Sequence, residues 1–466
     1  MIARWTAAFL LLITVAALGQ TPVAVQSDSL LVVGKISISG NKITRHNIIT
    51  RELEFSEGDT LSQTEFSKKV KKSRENLMNR SLFNFVTFLV NDSANRQNIK
   101  IDLVERWYIW PIPVFDFAGR NINVWWETKD FSRLNYGIDL RVDNFRGRME
   151  VLHIILQAGY DKAAIARWEI PYINKKQKLG FSVAAGIVYN RQINYINYNN
   201  KPVYHGFENE YAKKKYFTEL GFSYRASYNS FHNLLLTYNN LWFNDSLLIM
   251  NPHLTYGAGH YNYLELFYKY KLDFRDYAPY PLNGYYFDAQ FTQTGFGLFS
   301  QMNFTSVEFN FDQYFPIYKR FYFAYRLAAL FTNKNKFQPY MVSQGIELGD
   351  FDMRGYELFV VNGQELGMLK SNVKFEIIPM KTHRIKWIKS EKFGRVFYAL
   401  YANLFFDAGY AFDKQTEQIN PLGNQLLWST GLGVDFVTFY DLVFRLEYSV
   451  NKQKNSGFYV AVVAPI

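Results

Sequence analysis

The chain has 466 residues and no cysteine. That absence suits an exported protein that folds without disulfides as well as a reduced one, and it excludes a lipid anchor on a processed N-terminal cysteine. Beyond the first 19 residues there is no run of 18 apolar residues, so transmembrane helices are excluded. The 7 histidines are scattered, and G-x-S-x-G, H-E-x-x-H and G-x-x-x-x-G-K are all missing. The chain therefore reads as a non-enzyme without cofactor or metal. His153 falls on the same strand face as Gln157 and reads as a polar wall residue, not a base. The formal charge of +11 is spread out, with one dense basic run at Lys68–Arg74. That run reads as a solvated helix face, so no nucleic-acid partner is expected.

What the sequence has in excess is aromatic residues: 42 Phe and 34 Tyr. They sit in segments that alternate faces with period two. Tyr398, Leu400, Ala402, Leu404 and Phe406 share one side of a strand whose other side carries Asn403 and Asp407. Phe444, Leu446, Tyr448 and Val450 likewise oppose Arg445, Glu447 and Ser449. Strands of that kind suit a membrane barrel, with the apolar face to lipid, the charges to the lumen and aromatic girdles at the interfaces. A soluble sandwich tolerates few charges on its inner faces.

Composition divides the chain into three parts. Met1 to about Gly19 has one Arg, an apolar core and small residues at its end, the pattern of a signal peptide. Residues 30–106 read as one small α/β domain in the order β-α-α-β-β: a strand at Lys35–Ser39, a short helix at Arg45–Glu54, a second helix, and strands at Phe85–Val90 and Asn98–Val104. The second helix opens with a capping box, Ser62 and Glu65, and sets Phe66, Val70, Ser73 and Leu77 on one face. Residues 107–466 hold about 16 strand candidates, from Tyr108–Ala118 to Phe458–Val463. Short turns such as Phe145-Arg146-Gly147 alternate with long polar loops, as they do in an antiparallel transmembrane barrel.

The residues carry a resemblance to the outer-membrane assembly-factor superfamily that includes BamA and TamA. Ile36-Ser37-Ile38-Ser39-Gly40-Asn41, Gly58-Asp59-Thr60-Leu61 and Ser81-Leu82-Phe83-Asn84-Phe85-Val86 resemble a single POTRA domain. Met353-Arg354-Gly355-Tyr356, in the loop between the eleventh and twelfth strands, is similar to that family's [V/I]-R-G-[F/Y] loop tip. Phe405-Phe406-Asp407-Ala408-Gly409, on the thirteenth strand, matches its F-x-D-x-G pattern. The departures are Met353 in place of Val or Ile, a terminal Ile466 after Pro465 where many barrels end on an aromatic residue, and only one POTRA unit.

The resemblance implies a loop lock of Arg354, Gly355, Tyr356, Asp407 and Gly409, and face alternation on the twelfth strand, with Asn372, Lys374 and Glu376 inward, adds Glu376 as a second inward carboxylate beside Arg354. A planar guanidinium suits such a site better than an ammonium. In the first barrel strand Pro111 and Pro113 each remove a backbone donor. The seam with the last strand, which carries Phe458 and Val460, is therefore expected to be weak enough to act as a lateral gate. A second edge for clients is expected along Phe85, Val86, Phe88 and Val90. The implied function is assembly or translocation of unfolded outer-membrane or secreted protein clients, with outer-membrane lipid and periplasmic or lipoprotein subunits as partners. The alternative is a dedicated exporter channel for one secreted or surface partner, of the two-partner-secretion type. The expected location is the bacterial outer membrane, with the POTRA unit in the periplasm.

Overall fold

The computed structural model describes residues 30–93, 96–117, 134–300, 302–333 and 338–462. The expected signal peptide at 1–19 and the terminal Pro465-Ile466 lie outside them. The N-terminal domain runs β1 (Leu30–Ser39), α1 (His46–Thr50), β2 (Thr60–Ser62), α2 (Gln63–Met78), β3 (Phe83–Ser93) and β4 (Arg96–Glu105). Its sheet has the order β2-β1-β4-β3, with β1 parallel to β4 and β3 at one edge. The Ser62 hydroxyl accepts the Glu65 N–H at 3.2 Å, which starts α2 by satisfying an otherwise orphaned donor. From there Phe66, Ser73 and Leu77 are buried, in a core shared with Val33, Ile99 and Ile101. The helix expected at Arg45–Glu54 is shorter, at His46–Thr50, and the three-residue β2 is too brief to leave a periodic signal.

The rest of the described chain is strand. Its elements are β5 (Ile109–Phe117), β6 (Leu134–Phe145), β7 (Glu150–Gly159), β8 (Lys162–Ile170), β9 (Leu179–Asn190), β10 (Gln192–Tyr198), β11 (Lys201–Gly206), β12 (Lys213–Arg225) and β13 (Ser230–Phe243). After the short α3 (Asp245–Met250) come β14 (His260–Asp273), β15 (Gly284–Thr294), β16 (Phe304–Tyr318), β17 (Phe321–Thr332), β18 (Gly345–Ile346), β19 (Val361–Asn362) and β20 (Glu365–Arg384). The α4 turn (Glu391–Gly394) then leads to β21 (Arg395–Phe412), β22 (Leu426–Thr438), β23 (Val443–Asn451) and β24 (Ser456–Val462).

Sixteen of these strands form one antiparallel sheet in chain order, from β5 to β24, and each of the sixteen sequence segments falls on one of them. The β10–β11 and β18–β19 pairs are separate hairpins inside two of the long loops. Burial alternates as the sequence does. Along β21 the odd positions from Phe397 to Ala411 are buried, while Leu404 and Phe406 are exposed. On β20, Lys370, Asn372 and Lys374 point in, and Leu369, Val373 and Ile377 point out.

The sheet curls into a barrel. The turn at 274–283, after β14, reaches the far wall, where the Tyr280 hydroxyl donates to Asp435 Oδ2 of β22 at 2.8 Å. The N-terminal domain touches turns around one whole mouth, from Gly147 through Arg225 and Arg275 to Asp441. The long loops, with α3 and the two extra hairpins, gather at the opposite mouth. There Leu247, Leu254, Tyr261 and Met302 form a core of their own.

Candidate functional site: a loop locked to one wall of the barrel

The loop between β17 and β20 folds onto the inner face of β20–β23. Arg354 is 6% exposed and Asp407 fully buried. Arg354 Nε donates to Asp407 Oδ2 at 2.8 Å, Nη2 donates to Oδ1, and the Arg354 backbone N–H reaches Oδ2 at 3.3 Å. The carboxylate is thus gripped by both the fork and the main chain of one residue. Arg354 Nη1 donates to Asn372 Oδ1 at 2.8 Å, and the guanidinium lies 3.9 Å from the centroid of the Phe405 ring. A lysine has neither the fork nor the flat face this site uses.

The flanking residues fix the loop's path. Gly355 has φ +82°, and a Cβ there would meet Ser429 and Ser449 at 3.3 Å, so the backbone passes close to the wall. Asn451 Nδ2 donates to the Gly355 carbonyl at 2.7 Å, and the buried Tyr356 hydroxyl donates to the Trp428 carbonyl at 3.3 Å. At Gly409 an added Cβ would come within 3.2 Å of Met353 Sδ and 3.0 Å of Ile346 Cδ1. The glycine in the strand makes room for the methionine in the loop. Met353 N–H is accepted by Glu347 at 2.6 Å. Burial, with the nearby Asp352 and Glu357 carboxylates adding to it, pushes the Glu347 carboxyl up to about 7.

Glu376, expected beside Arg354, is elsewhere. It lies four residues from Asn372, about 13 Å along the strand at the usual rise. A bulge between Glu376 and Ile378 turns it to the Tyr401 hydroxyl at 3.4 Å and Arg320 at 3.9 Å. The second carboxylate at the lock is Glu447 of β23, 3.5 Å from Arg354 Nη1. Face alternation had put Glu447 inward, but nothing in the sequence sets its height relative to Asp407. From Glu447 the contacts continue to Arg445 at 3.6 Å and to Asp435, which Arg445 grips at 2.7 and 3.2 Å. Asp435 then takes the Tyr280 hydroxyl, and the fully buried Lys374 ammonium lies 4.2 Å from the Tyr280 ring.

The N-terminal domain is held to its mouth of the barrel by two carboxylates that sequence reasoning missed. Glu52, completely buried, accepts from Nη1 and Nη2 of Arg225 at 2.6 and 2.7 Å, with Arg51 at 3.2 Å and Arg80 at 3.5 Å. Burial raises the Glu52 pKa, but Arg80 and Arg225 outweigh it and hold the carboxyl below its ordinary range. Asp441, on the β22–β23 turn, takes Arg106 at 2.7 and 2.8 Å, Ser81 at 2.8 Å and Tyr277 at 3.0 Å. No local pattern marks either carboxylate, because the arginines that grip them with two bonds, Arg225 and Arg106, are 173 and 335 residues away.

The proposed edges behave differently from each other. Among the described residues β5 and β24 share no ladder: β5 pairs only with β6, and β24 only with β23. Pro111 and Pro113 lie within β5, opposite Leu140 and Ile138 of β6, while Phe458 and Val460 on β24 are highly exposed. On β3, Phe85 is not available to a client. Its ring packs against Phe397 of β21 at 6.4 Å and under Arg395 at 4.1 Å. Val86 is buried in the domain core and Phe88 packs against it, which leaves Val90 exposed toward the far end of the edge.

Comparison with known proteins gives matches to two family models. Residues 144–462 match the Omp85 superfamily domain, and residues 31–106 match POTRA, described as a surface antigen variable number repeat. No curated protein sequence matches. Among solved structures, BamA from Haemophilus ducreyi lacking POTRA domains 1–3 is 16% identical, covering 93% of this chain and 83% of its own, with a TM-score of 0.49. CdiB from Acinetobacter baumannii is 12% identical, covering 93% and 74%, at 0.49. CdiB from Escherichia coli is 10% identical, covering 96% and 91%, at 0.47.

Proposed function

The chain belongs to the Omp85 superfamily, and as an outer-membrane β-barrel with one POTRA domain we propose that it assembles proteins at that membrane through its lateral seam. The observation that carries this reading is the pair of unshared edges on β5 and β24. Among the described residues neither edge is taken up by a ladder, and such an edge pairs with an incoming strand whatever its side chains. The wall that faces Arg354 holds its plug by a buried ion pair, so a client gains more readily at the seam than through the lumen. The POTRA domain, in the periplasm, offers the outer part of the β3 edge as the first contact for an unfolded chain.

The test uses the absence of native cysteine. Cysteine pairs introduced along Ile109–Phe117 and Ser456–Val462 close the seam with a disulfide under oxidising conditions. Cells that depend on the chain should then lose assembly of outer-membrane proteins and recover it on reduction. Full activity with a closed seam would contradict this reading and point to a dedicated exporter working through the lumen.

A further inference from the structure

The loops at the mouth opposite the POTRA domain enclose a cavity of about 300 Å³, unlike the charged chamber of about 810 Å³ in the barrel. Lys269, Lys271, Arg326, Asp288 and Glu308 line the chamber. The cavity has a largely apolar surface into which six amide side chains are set: Asn251, Gln338, Gln344, Asn362, Gln364 and Gln415. They come from three different loops, with Ile196 of a fourth beside them, and no lysine or arginine lines the space. We propose that this cavity is a binding site for a neutral sugar residue.

An amide places a donor and an acceptor side by side without net charge, matching a hydroxyl group that both donates and accepts. Most of these amides are held in place from behind. Gln364 Nε2 donates to Asp413 at 2.9 Å, Asn251 Nδ2 to the Tyr195 carbonyl at 2.6 Å, and Asn362 Oδ1 accepts from Asn197 at 2.5 Å. A ligand that binds them meets a pre-organised wall and loses little to side-chain ordering. Gln344 Oε1 is buried without a hydrogen-bond partner among the described residues, a costly state that a hydroxyl donor relieves.

The charge pattern selects against ionic ligands. The carboxylate in the wall, Asp413, is already engaged by Gln364, by the N–H groups of Gln415 and Thr416 at 2.8 and 3.2 Å, and by the Thr416 hydroxyl. A cationic sugar would have to displace these donors to reach the Asp413 carboxylate, and an anionic one meets that negative charge with no lysine or arginine to offset it, His253 being the one basic side chain in the lining. The volume is at the lower limit of ordinary ligand sites, about 300–1,000 Å³, and fits a single ring better than a length of peptide. A free sugar, the end of a surface glycan and a glycolipid headgroup share this chemistry.

The experiment is a titration of the full-length protein in an amine-oxide detergent, since sugar-headed detergents would occupy the site. The probes are the uncharged methyl glycosides of glucose, galactose and mannose, with glucosamine and methyl glucuronate as charged counterparts. At least one uncharged glycoside should bind saturably, and the charged sugars roughly tenfold more weakly. Gln344→Leu should weaken binding by up to about tenfold, the effect of one lost hydrogen bond. Ile419→Trp, which fills the cavity from its apolar side, should abolish binding. Both variants should keep wild-type heat-modifiable migration. The preferred sugar, presented free, on a soluble oligosaccharide or on glycolipid vesicles, separates the three sources by relative affinity. No binding of any uncharged glycoside, equal binding of the charged ones, or binding unchanged in both folded variants would overturn the proposal.

Discussion

The wall formed by β20–β23 and the seam between β5 and β24 are built from the same kind of strand and behave as opposites. β20 and β21 are 20 and 18 residues long, and with β22 and β23 they carry the buried chain Asp407, Arg354, Glu447, Arg445 and Asp435 on their inner face. β5 and β24 are 9 and 7 residues long, include two prolines, and among the described residues show no ladder to each other. A connected run of buried ion pairs thus lies along one arc of the barrel. On the proposed function the barrel opens at the free edge of β24, one strand beyond the end of that wall, so that β20–β23 and the plug they hold stay in place.

The largest effect should come from breaking the strong side. Arg354→Ala or Asp407→Ala leaves a buried partner uncompensated and should cost about 3–5 kcal/mol, read as a lower temperature of heat-modifiable migration. The double variant should cost clearly less than the sum of the singles, because the two share one interaction. Arg354→Lys should recover only part of the loss. If Arg354→Ala migrates as wild type, the loop does not hold the wall.

The junction between POTRA domain and barrel should come next. Glu52→Ala strands Arg225 and its neighbours at the mouth and should cost about 2–5 kcal/mol of docking. Limited proteolysis should release the N-terminal domain earlier than in wild type while the barrel stays protected. Unchanged cleavage would mean that the Asp441 contacts hold the domain alone.

Glu376→Gln is a control that sharpens the comparison, because Glu376 lies outside the lock. Its effect should stay below about 1 kcal/mol, the range of a partly exposed pair.

A further effect concerns pH. The Glu347 carboxyl is raised from 4.5 to about 7, so docking of the loop takes up a proton. The contribution is present in full below pH 4.5 and is lost as pH rises through about 7. Heat-modification temperature should therefore fall modestly between pH 5 and 8, and Glu347→Gln, which still accepts the Met353 N–H, should flatten that slope.

The sixteen strands were legible because a period of two survives in any strand with one face in lipid and one in the lumen. Arg354 and Asp407 could be linked from their two motifs. Glu376 could not be told from Glu447, since alternation assigns a face but not a height along the wall or a bulge. The turn at 274–283, which brings Tyr277 and Tyr280 inward, has no periodicity to read. Glu52 and Asp441 are acidic residues in ordinary turn-like surroundings whose role exists only once distant arginines arrive. Phe85 looked like a client edge because a strand read alone does not show what the barrel rim presses against it.

The most direct test of the division between fixed wall and free seam is amide hydrogen exchange on the protein in lipid, resolved strand by strand. Core strands exchange at the global limit and free edges much faster. The account predicts slow exchange across β20–β23 and fast exchange along Ile109–Phe117 and Ser456–Val462. Equal protection of β5, β24 and β21 would contradict it.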